Sequence, residues 1–339
     1  MDPLTHTLTG LALSRAGLNR VTAYATPVLL LAANAPDCDI VTAPWGSVNY
    51  LHYHRHITHG LLTIPAMALL AVLVVWPFAR KHFDWKLAYA VALIGAASHP
   101  ILDWMNAYGI RLLLPFSSKW YALSIASLPD YWILGMLLLA AVAPWFSRLV
   151  MSEIGARPGT GRGGAITALC FMALYGTGRY MLHERALAQL EARLYGGLEP
   201  LRVAAEPGPL NPLQWRGIVE TGPFYEIFDV NLLAEFDPSG GRIFYKPEPD
   251  PRQAAAAAAA TRTEAFRVFL DFSPYPYWRF SDLEKPSNGI LVEVTDLRFG
   301  TPVRPGFVAS AVVDGAGRVV ESGFSYRPGP RTASERTAP

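Results

Sequence analysis

An all-α membrane bundle of about five to six hydrophobic helices, followed by a small α+β extramembrane domain, is the fold class the sequence predicts. Three observations predict it. Charged residues make up 17% of the chain and apolar residues 51%, against about a quarter charged in soluble proteins. The shortage of charge is concentrated in the first 185 residues, where apolar stretches recur with basic residues between them. After residue 200, glycine, proline and charge return, and strand-like alternation appears. The expected division is a membrane domain over 1–195, an α+β domain over 196–328 and a disordered tail over 329–339.

Residues 4–17 (LTHTLTGLALSRAG) and 21–36 (VTAYATPVLLLAANAP) read as two helices packed into the membrane. Both fall short of the roughly 20 apolar residues a span needs, so they are a re-entrant pair or tilted spans. Residues 60–79 form the clearest transmembrane helix, and 87–102, 131–147 and 163–182 are three more. Arg15 and Arg20, then Arg80, Lys81 and Lys86, then Arg148, Arg157 and Arg162 fall on one side if every segment crosses. The excess of positive charge places that side in the cytoplasm. The other loops and the C-terminal half then face outward, toward the periplasm of a Gram-negative cell, from a multi-pass inner-membrane protein. The N-terminus MDPLTHTLTG has neither a basic leader nor an Ala-x-Ala site, so no cleaved signal peptide is expected. Cys38 and Cys170 sit in or beside apolar stretches, and no disulfide is expected.

In the second half, VEVTDLRF, FVASAVVD and RVVESGFSY alternate with period two, and a turn at Gly315-Ala316-Gly317 joins the last two as a hairpin. The stretch DPRQAAAAAAATRTEAFRVFL, with Pro251 near its start, predicts one helix on a small mixed sheet. Net charge is +2 and basic runs are lacking, so a nucleic-acid partner is not expected. The lipid bilayer is the partner the composition implies.

Chemistry concentrates before residue 104. Seven of the eight histidines precede residue 100. His6 starts the first helix, Asp37 and Asp39 follow the second, and His54 and His59 precede the third. His99 and Asp103 end the fourth and share one helix side at i and i+4. If the segments alternate in direction, all four groups reach one membrane face. Imidazole and carboxylate are ligands of zinc and similar divalent ions. The metal candidates are therefore His6, Asp37, Asp39, His54, His59, His99 and Asp103. Arg55 is a candidate to hold a substrate phosphate, with Asp39 and Asp103 as catalytic carboxylates. Other readings stay open: Asp37 as a helix cap, HYHRHITH as a polar loop, Arg55 as a lipid anchor. His82 and His183 read as structural or surface residues, and Trp45, Trp104, Trp120 and Tyr121 as an interfacial belt.

The segments MDPLTHTLTGLALSRAG, LLLAANAPDCDI, YLHYHRHITHG, SHPILDWMNAYGIRLLLPFSSKWYAL and VEVTDLRFG resemble, in order, those of the LexA-regulated, YdjM-type membrane-bound predicted metal-dependent hydrolases. The resemblance implies functional positions at His6, Asp37, Asp39, His54, Arg55, Thr58, His59, His99, Asp103 and Asn106. Thr58 and Asn106 would orient ligands. Tyr53 replaces a histidine of the family pattern, with His52 or His56 as possible substitutes, and Asp130 is a weaker acidic candidate. A more distant likeness to the zinc-dependent phospholipase C and single-strand nuclease superfamily implies one to three Zn2+ ions, with Mn2+ or Mg2+ as alternatives. It also implies a phosphoester or lipid-linked substrate. The competing readings are a transporter using these groups as an ion relay and a scaffold with a structural metal site. The oligomeric state is not legible.

Overall fold

The structure, a computed structural model, describes residues 1–79, 83–153 and 160–326. Expectations about Arg80, Lys81, His82, Arg157 and the 329–339 tail lie outside the described residues.

Helix α1 (Pro3–Ala16) starts where the Asp2 carboxylate accepts from the Thr5 amide at 3.0 Å, with Pro3 in the first turn. It stops at Gly17, whose φ of 146° suits glycine. Helix α2 covers Ala25–Ala32. At 14 and 8 residues, α1 and α2 are about 21 and 12 Å long, well short of a hydrocarbon core of about 30 Å. After the short helix α3 (Ser47–Tyr53) come α4 (Ile64–Val75), α5 (Trp85–Trp104), α6 (Tyr131–Glu153) and α7 (Arg162–Glu191).

Among the described residues, three helical stretches are long and apolar enough to cross a membrane: Leu61–Phe78, Trp85–Trp104 and Tyr131–Arg148. The expected five to six hydrophobic helices thus reduce to three that meet both criteria. The shortfall has two causes. The first two helices are too short, and the second half of α7 carries Arg179, His183, Glu184 and Arg185. That half leaves the bundle, and its Ala186 and Leu190 pack under Trp215 and Phe228 of the C-terminal half. On α4 and α6, Leu73, Leu139 and Phe146 stay exposed, as a lipid-facing surface requires.

Small residues let α1, α2 and α5 approach closely. A Cβ on Gly10 would lie 2.9 Å from the Leu29 carbonyl oxygen, and one on Gly95 would lie 3.0 Å from the Ala32 Cβ. Gly10→Leu is therefore expected to destabilise the protein by about 1–3 kcal/mol by overpacking. A circular-dichroism melt in detergent checks this, and an unchanged midpoint would contradict the close seating of α1 on α2.

The C-terminal half differs from expectation. Strands β1 (Arg202–Pro207), β2 (Gln214–Glu220), β3 (Phe224–Asn231) and β4 (Arg242–Tyr245) form one antiparallel sheet. Helices α8 (Pro251–Ala260) and α9 (Glu264–Phe272) follow. A second antiparallel sheet contains β5 (Pro276–Leu283), β6 (Gly289–Asp296), β7 (Phe307–Val313) and β8 (Val319–Tyr326). The one helix on a mixed sheet becomes two helices and two antiparallel sheets. The helix divides because the Thr263 side chain accepts from the Phe266 amide and starts a new helix. The hairpin around Gly315–Gly317 joins β7 to β8 as expected.

The two halves share a core. Leu51 of α3 and Tyr108, beyond α5, pack with Phe269 and Phe272 of α9 and Phe324 of β8. Trp120 packs against this cluster, 5.2 Å from the Phe272 ring, and not in a lipid belt as the sequence suggested. Trp45 and Trp104 remain exposed. The C-terminal half therefore lies on the loops that carry His54, Arg55 and Asn106.

One buried acid sits at this junction. Glu206 on β1 is pushed up to about 7 by burial, against the opposing pull of Arg298, a Ser124 hydrogen bond and Arg216, with Asp296 adding to the rise. Its ordinary value is near 4.5. The folded state thus holds this proton more tightly than the unfolded state. The stabilisation is complete below pH 4.5 and is lost as pH rises through 7. Relative to Glu206→Gln, the wild type is expected to lose about 3 kcal/mol across that window. Parallel pH-dependent melts of the two proteins test this, and identical pH profiles would refute it.

Candidate metal centre

Four segments converge. α1 carries His6. The 3₁₀ segment Ala35–Trp45 carries Asp37 and Asp39, and its start at Pro36 ends the α2 run. The turn after α3 carries His54, Arg55, Thr58 and His59, with Arg55 at a positive φ of 56°. The last turn of α5 carries His99 and Asp103, followed by Asn106. His6, His59, His99 and Asp103 are fully enclosed, and the Asp37 side chain keeps 24% exposure as the one open edge of the group.

Asp37, His59, His99 and Asp103 each turn one ligand atom to a common point, all within 4.8 Å of one another. His59 Nε2 lies 3.0 Å from His99 Nε2, 3.6 Å from Asp37 Oδ1 and 3.3 Å from Asp103 Oδ2. His99 Nε2 lies 3.4 Å from Asp37 Oδ1 and 3.5 Å from Asp103 Oδ2. Donors bound at about 2.0–2.2 Å in a tetrahedron stand about 3.3–3.6 Å apart. The five separations above, 3.0–3.6 Å, lie at or close to that spacing.

Protonation supports the same fit. His99 Nδ1 is 2.7 Å from the Ala33 carbonyl oxygen, which only accepts. Nδ1 therefore donates, and Nε2 carries the lone pair. His59 Nδ1 is 3.0 Å from Thr58 Oγ1 and 3.5 Å from Asp39 Oδ2, which places its proton on that side too. Burial pushes His59 down to about 3, so it is neutral at physiological pH. Two lone pairs then face each other across 3.0 Å, an arrangement that a shared cation resolves. The four residues are thus able to hold a metal ion.

The other expected ligands stand around this group. His6 stacks on His99 at 3.7 Å, and its Nε2 is 3.3 Å from Asp103 Oδ1. Neither His6 nitrogen has a hydrogen-bond partner among the described residues, an orphaned pair at a buried position. Asp39 sits behind the four donors. It contacts His54 Nδ1 at 3.2 Å and accepts from the Arg55 amide at 2.9 Å. His54 thus meets Asp39 and lies outside the four-donor group. Arg55 Nη2 pairs with Asp103 Oδ1 at 3.1 Å, Nη1 donates to Asn106 Oδ1 at 2.9 Å, and Nε has no hydrogen-bond partner among the described residues. His52 and His56 stack on each other away from the donors. Asp130 caps α6, accepting from the Trp132 and Ile133 amides. Sequence reasoning missed the Ala33 carbonyl, which has no side-chain signature. It also missed Tyr108, whose ring lies 4.8 Å from the Arg55 guanidinium.

A family model described as the YdjM inner membrane protein matches residues 1–186, more than half of the chain. The chain belongs to the YdjM inner membrane protein family. All four donors and the three apolar helices lie inside the YdjM match. A second model, the YfhP C-terminal alpha/beta plait domain, matches residues 255–327, from α8 through β8. The uncharacterized protein YfhP of Bacillus subtilis (strain 168) is 26% identical over 325 residues, 91% of this YdjM-family chain and 90% of that protein. No solved structure matches.

Proposed function

We propose that this YdjM-family protein is a membrane-bound, metal-dependent hydrolase acting on a phosphoester or lipid-linked substrate. The observation that carries the proposal is the facing pair of His59 and His99 Nε2 atoms, closed by Asp37 and Asp103. These four residues would hold a divalent ion, with zinc favoured by two imidazoles and two carboxylates at tetrahedral spacing. Held by these four residues, a divalent ion would supply Lewis acidity and activation of water near neutral pH. Asp39 fixes the His59 ring and the Arg55 backbone. Arg55 positions Asp103 and offers its free Nε–H to an anionic oxygen. Asp37, the exposed edge, is where substrate enters. Exposed Ile40, Val41 and Trp45 follow it on the same 3₁₀ segment and favour a substrate taken from the lipid surface.

The deciding experiment screens the metal-loaded protein in detergent against phosphodiester, phosphomonoester and amide substrates. Turnover of a phosphodiester that vanishes in Asp37→Asn is the expected result. Metal-loaded protein inert toward all three classes would overturn the hydrolase reading. We also propose a multi-pass inner-membrane topology with the site on the periplasmic face. Arg15 donates to the Ala141 carbonyl and Arg162 to the Ala16 carbonyl, which gathers basic residues at the end of α1 remote from His6. A reporter active only in the cytoplasm, fused after Arg185, should stay silent, and activity there would reverse the orientation.

A further inference from the structure

A cavity of about 660 Å³ lies between the two halves, away from the metal centre. The 117–124 loop of the membrane half, the end of α7, β1, the end of α9 and Arg298 enclose it. Its size falls within the range of about 300–1,000 Å³ usual for small-molecule sites. Four of its lining residues carry a buried polar atom without a hydrogen-bond partner among the described residues: Trp120 Nε1, Glu206 Oε2, Ser273 Oγ and His183 Nδ1, the last 3.6 Å from Glu184 Oε1. Glu206 is 6% exposed and Ser273 5%, so neither is satisfied by bulk solvent. Orphaned polar atoms are few in a folded protein, and four around one cavity mark a place built to meet something polar.

We infer that this cavity binds a neutral polyhydroxylated group, the chemistry of a sugar or polyol. The indole N–H only donates, the Glu206 carboxyl accepts and, while it holds its proton, also donates, and the serine hydroxyl does both. A hydroxyl-bearing ligand answers all three, because each hydroxyl both donates and accepts. An anion would face the Asp271 carboxylate and, above pH 7, that of Glu206. It would find the Arg298 guanidinium already bonded to Asp296, the Ala107 carbonyl at 2.7 Å and the Phe272 carbonyl at 2.9 Å. A compact cation would meet Lys119, and it would find the Asp271 carboxylate already paired with Arg111. The inference is independent of the metal centre and stands or falls without it.

The test uses the full chain in an amine-oxide detergent, which carries no sugar headgroup. Calorimetric titration with glucose and with myo-inositol probes the free polyol. Vesicles with and without glucosyl diacylglycerol probe a lipid-borne sugar, and ethanolamine and inorganic phosphate are the charged controls. Saturable binding of a polyol or of the glycolipid vesicles is the expected result. Titrated at about pH 8, where Glu206 is ionised, Glu206→Gln should weaken it about tenfold or more, the loss expected for one hydrogen bond to a charged acceptor. Trp120→Phe keeps the aromatic packing, removes the donor, and should weaken binding as well; it decides the matter if the first variant does not fold. Absence of saturable binding by every polyol and by the glycolipid vesicles, meaning a cavity that holds water only, would overturn the inference. So would unchanged affinity in both variants, or binding of ethanolamine or phosphate in preference to the polyols.

Discussion

Purified protein carrying both His59→Ala and Asp103→Ala is expected to retain no divalent metal, whereas the wild type retains it stoichiometrically. His59 contributes one of the two facing imidazoles, and Asp103 touches both of them. Removing these two donors leaves Asp37 and His99, too few to close a tetrahedral site. The single variant Asp39→Ala should behave differently. Asp39 contacts His59 Nδ1, the side away from the four-donor group, and so orients that ring from behind. Loss of such a supporting carboxylate weakens metal affinity about 10–100-fold without abolishing it. Elemental analysis and competition against a chelator measure both effects. Stoichiometric metal in the double variant would remove the metal centre, and complete loss in Asp39→Ala would make Asp39 a direct ligand.

Arg298→Ala is expected to destabilise the protein by about 3–5 kcal/mol, because it strands a fully buried Asp296 carboxylate. Arg298 Nη2 pairs with that carboxylate at 2.7 Å, with the guanidinium 6% and the carboxylate 0% exposed. The same guanidinium donates to Ala107 in the membrane half and Phe272 in α9, and lies over the Phe272 and Phe299 rings. It therefore joins α9, the second sheet and the 105–109 turn behind the metal centre. A denaturant titration measures the loss. The double variant Arg298→Met with Asp296→Leu should recover most of it, since no charge is then left buried without a partner. A single variant as stable as wild type would show that this pair does not hold the halves together.

Several features were legible because their signals are local. Leu61–Phe78 and Tyr131–Arg148 announce themselves as unbroken apolar runs, which lipid demands of any helix it surrounds. The i, i+4 pair of His99 and Asp103 needs only helical geometry. The β7–β8 hairpin needs only its glycine turn. Other features were hidden. β1 to β5 lack clean alternation because several are covered on both faces, as the burial of Phe224, Tyr225, Glu226, Ile227 and Phe228 in a row shows for β3. The α8–α9 break rests on one capping threonine in a run of good helix formers. Trp120 has the composition of an interfacial residue, and only its contact with Phe272 reveals that protein, not lipid, surrounds it.

The residue types and their order along the chain determined by themselves that this is a membrane protein with histidines and carboxylates gathered near helix ends. Desolvation makes such groups unfavourable in lipid unless they meet partners, so their presence already implied a shared site. The tertiary structure alone decided which of the candidates meet at one point. It chose Asp37 over Asp39 and His59 over His54, because side-chain direction at each position depends on how α1, α2 and α5 pack and on how the C-terminal half packs against α3 and Tyr108. Those contacts join residues far apart in sequence, and no local pattern encodes a distance between them.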